Sequence, residues 1–283
     1  MTNPVHWFLQ GIRHYLLAVQ FFTRIPVTGR LAQWVGFSTA ALRASAAYFP
    51  GVGWLVGAVM AAVWFGCQQV LPVLSGSSWV AAWLVVCLGV WTTGGFHEDG
   101  LADLTDGLGG SYNRQRALEI MKDSRIGSFG SLALVLGVLG RVLLLVALAE
   151  VSWALAGVAL WLAQVASRTW PLALIRTLVH VGDADGSKSK PLADQISNSA
   201  LMVGVLWLVA ALTLVQGVWP AAGWWLALGA SAASAGWMRG LLQRRLQGFT
   251  GDGLGATQQL SEMAFCLGLL VAVRLGLVGA IPG

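Results

Sequence analysis

The chain has 283 residues, of which 57% are hydrophobic and only 10% charged. A soluble domain carries about a quarter of its residues as charges, so this composition excludes a soluble globular enzyme and points to an all-α, polytopic membrane bundle. The net charge of +5 is too sparse to suggest nucleic acid as a partner; its meaning depends on where the charges sit.

Residues 5–23 mix apolar positions with basic and polar ones and end in Phe21-Phe22-Thr23-Arg24-Ile25-Pro26. The pattern predicts an amphipathic helix lying at the membrane interface and stopping before Pro26. Residues 28–47 are mixed and carry Arg30 and Arg43. Seven apolar stretches follow, at 49–71, 78–96, 127–149, 151–180, 200–217, 222–238 and 258–281. Each approaches the roughly 20 residues that a spanning helix needs. The fourth is over-long and holds Arg168, Pro171 and Arg176, which predicts a kink or an extension beyond the bilayer. Many of the 15 tryptophans lie near the ends of apolar runs, where interface aromatics belong. No cleavable signal peptide is evident at the N-terminus. Cys67, Cys87 and Cys266 each sit inside an apolar run, with no metal or disulfide spacing, and read as packing residues. No internal repeat divides the chain, and residues 1–283 read as a single membrane-embedded domain.

Basic residues orient the bundle. Of the 17 Lys and Arg, all but Arg141, Arg168, Arg176 and Arg274 fall before residue 49, at 97–126, at 181–199 or at 239–257. Seven spans place all of these segments on one side, and the positive-inside rule makes that side the cytoplasm. Of the 12 acidic residues, only Glu150 belongs to the other side. A patch for anionic lipid would explain the basic residues alone. Acidic clusters beside them suggest a cytoplasm-facing site for a metal and phosphates.

Chemistry concentrates in Gly94–Gly110, where Glu98, Asp99, Asp103 and Asp106 stand close together just after an apolar run. On a helix, Asp99, Asp103 and Asp106 share one face. Their mutual repulsion favours a divalent cation, and carboxylate oxygens are the ligands Mg2+ prefers. The alternative is a solvated acidic loop. A second constellation follows at once: Arg114, Arg116, Lys122 and Arg125 can hold phosphate oxygens, or can simply be a positive-inside stop signal. Asp123 reads first as a partner of Arg125, with a further ligand as the alternative. The third, Thr250-Gly251-Asp252-Gly253 with Gln259 and Glu262, enters the last span. It can present amide donors to an anion or merely cap a helix. His97 is a candidate ligand or proton carrier, with a structural role as the alternative. Arg141, mid-span, needs a carboxylate or carbonyl partner. Asp183, Asp185, Lys188, Lys190 and Asp194 occupy a Gly/Ser-containing loop read as mobile, with contact to substrate left open.

These residues resemble the cobalamin synthases, the adenosylcobinamide-GDP ribazoletransferases. The resemblance is strongest in Glu98-Asp99-Gly100-Leu101-Ala102-Asp103 with Asp106-Gly107-Leu108-Gly109-Gly110, and continues through Met121-Lys122-Asp123-Ser124-Arg125-Ile126-Gly127. Phe22–Pro26, Tyr48-Phe49-Pro50 and Thr250-Gly251-Asp252 with Glu262 support it. The loop at 182–199 is not placed by the pattern, so its lysines take no role from the resemblance. The resemblance implies Mg2+-dependent joining of adenosylcobinamide-GDP to alpha-ribazole or its 5'-phosphate, with release of GMP. That is the last nucleotide-loop step of cobalamin biosynthesis, expected in the bacterial inner membrane, surrounded by lipid and with a homo-oligomer left open. On this reading Glu98, Asp99, Asp103, Asp106, Asp252 and Glu262 form the metal site. Asp106, with Asp103 beside it, accepts the hydroxyl proton, and Arg114, Lys122 and Arg125 hold the GMP-side phosphate. Two rivals remain: another membrane transferase using an activated alcohol diphosphate, such as a CDP-alcohol phosphotransferase, and a transporter. The gathering of carboxylates on one side disfavours the second.

Overall fold

A computed structural model describes residues 4–74, 76–182 and 196–279, and among these the fold is built from helices, with one isolated bridge between His180 and Phe249. The loop carrying Asp183, Asp185, Lys188, Lys190 and Asp194 lies outside the described residues. Helix α1 (Pro4–Phe22) leads, followed by two short helices, α2 (Gly29–Val35) and α3 (Thr39–Ser45). Trp7 and Phe8 at the start of α1 are exposed, whereas Leu17, Ala18, Val19 and Phe22 at its end are buried. An apolar first half left in the open agrees with an interfacial helix.

The predicted spans become α4 (Phe49–Val70), α5 (Ser77–Thr93), α8 (Ser128–Val151), α9 (Trp153–Thr177), α10 (Asn198–Val218), α11 (Gly223–Arg245) and α12 (Gly251–Arg274). Between α5 and α8 lie α6 (Phe96–Gly110) and α7 (Arg114–Ile120). Five helical stretches, those ending in α4, α8, α9, α10 and α12, are long and apolar enough to cross a membrane on their own. A sixth arises if α5 and α6 count as one broken span. The remaining predicted span, α11, is long but rich in Gly, Ala and Ser and ends in Arg244 and Arg245. Its small residues serve contact rather than lipid exposure: Ala227 and Ala230 of α11 crowd Gly268 of α12. Small residues let membrane helices approach closely.

Helix α9 sits in the middle of the bundle and is its most buried span. It runs unbroken through Pro171 and ends at Thr177, three residues earlier than the apolar pattern predicts. Phe249 then exchanges backbone hydrogen bonds with Val179 and Val181, at 2.8 and 2.9 Å. That bridge clips the exit of α9 to the entrance of α12.

The element that positions the site is the break between α5 and α6. Gly94 and Gly95 both adopt left-handed φ values, 71° and 74°, which only glycine takes without strain. The chain turns by 88° there. After the turn α6 runs antiparallel to α8: Asp106 meets Gly127 and Gly130, Leu101 meets Gly137, and Glu98 meets Arg141.

Candidate active site

The acidic stretch is a helix, as its spacing predicts, and it packs against the first turns of α12. A side chain at Gly100 would come within 2.9 Å of the Asp252 backbone, and one at Gly255 within 3.3 Å of the His97 carbonyl. Two glycines therefore let the helices touch backbone to backbone. Asp99 and Asp103 of α6 flank this crossing, and Asp252 enters it from α12. The three carboxylates are close enough for the charges of Asp103 and Asp99 to act on Asp252. Asp99 is exposed, and Asp103 and Asp252 are half-buried. Among the described residues no salt bridge neutralises them. Thr250 caps α12 by accepting from Gly253 N–H at 3.1 Å, so the capping reading of the Thr-Gly-Asp turn holds and Asp252 is not the cap.

Deeper along the same helices the chemistry changes. Glu98 is 8% exposed and pairs with Arg141 at 2.9 Å, which supplies the partner that this mid-span arginine requires. Gln259 donates to Glu98 at 3.3 Å, and Gln258 donates to Glu262 at 2.8 Å and to Ser167 at 3.0 Å. Arg168 is 2% exposed, donates to the Gln164 side chain and lies within electrostatic reach of Glu262 and Glu98. Two buried acids and two buried arginines thus form a neutral inner network. Neutralisation by partners is what makes ionised groups tolerable at this depth.

This partition divides the six carboxylates that the sequence groups into one metal set. Glu98 and Glu262 belong to the arginine network rather than to the open carboxylates. Asp106 shares the helical face with Asp103 and acts on it electrostatically, but its oxygens turn to α8. It is buried, and its two oxygens accept from Gly127 N–H at 2.7 Å and Gly130 N–H at 2.8 Å. The first turn of a helix leaves backbone donors without partners, and at α8 Asp106 satisfies two of them. Both Asp106 oxygens are thus engaged by backbone donors of α8.

The basic residues also have local partners. Asp123 and Arg125 form an exposed pair at 2.6 Å on the turn after α7, as the structural reading of Asp123 anticipates. Arg125 holds the Asp123 carboxyl down to about 2. Arg114 donates to the Leu246 carbonyl at 2.6 Å, tying α7 to the end of α11. Lys122 is exposed on the same turn. His97 is buried and stacks on Phe49 with centroids 5.7 Å apart. Sequence alone leaves Arg168 open between facing the site and snorkelling, and gives Gln164, Ser167 and Gln258 no role. The signal was present in part: Gln164, Ser167 and Arg168 are spaced i, i+3, i+4, one polar face on an otherwise apolar helix.

Among the described residues no three His, Cys, Asp or Glu side chains converge tightly enough to grip a metal by themselves. Asp99, Asp103 and Asp252 nevertheless fit Mg2+ by donor chemistry. They are hard oxygen ligands of one sign, in no salt bridge among the described residues, and Mg2+ commonly takes one or two carboxylates and completes its shell with water and substrate phosphate.

The model of the CobS cobalamin-5-phosphate synthase family matches residues 14–270. An adenosylcobinamide-GDP ribazoletransferase of Albidiferax ferrireducens is 56% identical, over 93% of this chain and 99% of its own. The protein of the same name from Polaromonas naphthalenivorans is 52% identical over 94% and 100%, and that from Vibrio cholerae 44% identical over 92% and 94%. No solved structure matches the chain. The chain belongs to the CobS cobalamin-5-phosphate synthase family.

Proposed function

We propose that this chain is an adenosylcobinamide-GDP ribazoletransferase that works with Mg2+ at the cytoplasmic end of the bundle. A ribose hydroxyl oxygen of alpha-ribazole, or of its 5'-phosphate, bonds to the cobinamide-side phosphorus. The bridging P–O bond breaks and GMP departs with the bridging oxygen. The hydroxyl proton passes to a carboxylate. Adenosylcobalamin or its phosphate is the product, the last assembly step of the nucleotide loop.

One observation carries the site assignment: Asp99, Asp103 and Asp252 act on one another across the Gly100–Gly255 contact, and among the described residues no salt bridge neutralises them. These three would hold Mg2+. Bound there, it would neutralise charge on the diphosphate oxygens. Asp103, between Asp99 on its own helix and Asp252 on the next, is placed to take the hydroxyl proton once substrate is bound. Lys122 and Arg125, exposed on the neighbouring turn, draw the anionic substrates to this end. The inner arginine network holds α6, α8, α9 and α12 in register beneath the carboxylates. The positive-inside distribution supports a cytoplasmic site.

The test is product formation by the purified protein in liposomes, supplied with adenosylcobinamide-GDP and alpha-ribazole, with and without Mg2+. Corrinoid product and GMP should appear together and only with Mg2+. No product from folded protein would contradict the reading.

A further inference from the structure

A cavity opens beside the carboxylates, between the end of α1, the start of α4, α6, α9 and the entrance of α12. It is narrow, with about 40 Å³ of free space, and is walled by Phe21, Phe22, Phe49, Phe96, Phe249 and His97. The rings are ordered against one another. Phe22 stacks on Phe49 at 4.1 Å, Phe49 stacks on His97 at 5.7 Å with only 13° between planes, and Phe96 meets Phe22 edge-on at 6.0 Å. Gly251 and Gly255, on either side of Asp252 in α12, also line the space, so it adjoins the proposed metal site directly.

Among the described residues that line the cavity, His97 is the one with a polar side chain. His97 is 2% exposed, and its Nε2 has no hydrogen-bonding partner. A buried ring nitrogen without a partner is costly. Aromatic walls favour a flat ring system. The occupant that suits both is a planar, largely apolar heteroaromatic carrying a single hydrogen-bonding ring nitrogen. Guanine does not suit, because its edges carry several donors and acceptors that this wall would leave unpaired. The benzimidazole base of a ribazole does: glycosylation uses one ring nitrogen and leaves the other as an acceptor.

We infer that this cavity is the base subsite for the ribazole, with its aromatic walls enclosing the benzimidazole and His97 Nε2–H donating to its free ring nitrogen. The inference rests on the proposed transferase reading and extends it. The riboside is then held with its sugar toward Asp252 and Asp103, where its hydroxyl must react. His97 is a specificity residue here.

The experiment uses the full chain in liposomes and measures both binding and turnover. Ribosides of benzimidazole and of indole, which lacks the free ring nitrogen, are compared in the wild type, Leu254→Phe and His97→Phe. Leu254 lines the cavity, and a larger ring there occupies it. Leu254→Phe should raise KM and Kd for the benzimidazole riboside at least about tenfold and leave KM for adenosylcobinamide-GDP within about twofold, the latter reporting an intact fold. The wild type should prefer benzimidazole over indole by about tenfold, the worth of one hydrogen bond, and His97→Phe should erase that preference.

If the wild type turns over but Leu254→Phe leaves the riboside KM unchanged, the subsite is overturned and the reaction stands. The same holds if Leu254→Phe displaces only co-purified lipid, marking an acyl pocket, or if His97→Phe keeps the base preference. If the wild type makes no product yet binds the benzimidazole riboside in a manner sensitive to Leu254→Phe, the reaction reading fails and the subsite stands. Neither binding nor turnover overturns both.

Discussion

Two clusters of carboxylates lie within a few turns of each other on α6 and α12, and they behave as opposites. Asp99 is exposed, Asp103 and Asp252 are half-buried, and among the described residues none of the three is in a salt bridge. Glu98 and Glu262, deeper on the same helices, are matched by Arg141, Arg168 and glutamine amides. The residue chemistry is nearly the same in both. Depth and the neighbouring helix decide the role: a buried acid must be neutralised within the protein, whereas one near water can await a metal. The first set is suited to turnover and the second to keeping the helices in place.

Breaking the outer set should have the largest effect on activity. Asp103→Asn or Asp252→Asn should lower turnover by more than about a hundredfold, since losing a partner one shell further out already costs 10- to 100-fold. Melting temperature in detergent should stay close to the wild type. Breaking the inner set should do the reverse. Arg141→Met strands Glu98, and removing one partner of a buried pair costs about 3–5 kcal/mol, read as a fall in melting temperature. Adding Glu98→Gln should recover most of that loss.

Asp106 sharpens the comparison, because the acidic face alone would group it with Asp103. As the acceptor for the first turn of α8, Asp106→Ala should cost about 0.5–2 kcal/mol, the usual range for a lost cap, and should lower turnover less than Asp103→Asn does. The smallest effect belongs to the exposed Asp123–Arg125 pair. Its folded-state value lies near 2, below the unfolded value of about 3.9. Its contribution is therefore complete above the unfolded value and fades as pH falls towards 2. Asp123→Asn should leave stability flat between pH 5 and 9, and whatever it does at low salt should vanish at high salt.

Much of this was legible in the sequence, and the part that was not has identifiable causes. Spacing put Asp99, Asp103 and Asp106 on one helical face, and α6 is that helix. The isolation of Arg141 in an apolar run demanded a partner, and Glu98 is there. A helical wheel does not contain the glycine-rich start of α8, which claims Asp106 from a different element. Nor does it contain depth, which sets Glu98 against Arg141 and Glu262 within electrostatic reach of Arg168. The span count was blurred at α11, where small and polar residues that pack on α12 weaken the apolar signal without shortening the helix. The aromatic cavity gathers residues from positions 21 to 255, a convergence that no local pattern announces.

The most direct measurement of the central claim is binding of Mn2+, standing in for Mg2+, to the purified chain, followed by electron paramagnetic resonance. The account predicts binding that is weakened at least about tenfold by Asp103→Asn or Asp252→Asn and unchanged by Asp106→Asn or Glu262→Gln. Binding that survives the first pair and disappears with the second would place the metal in the inner network and contradict the account.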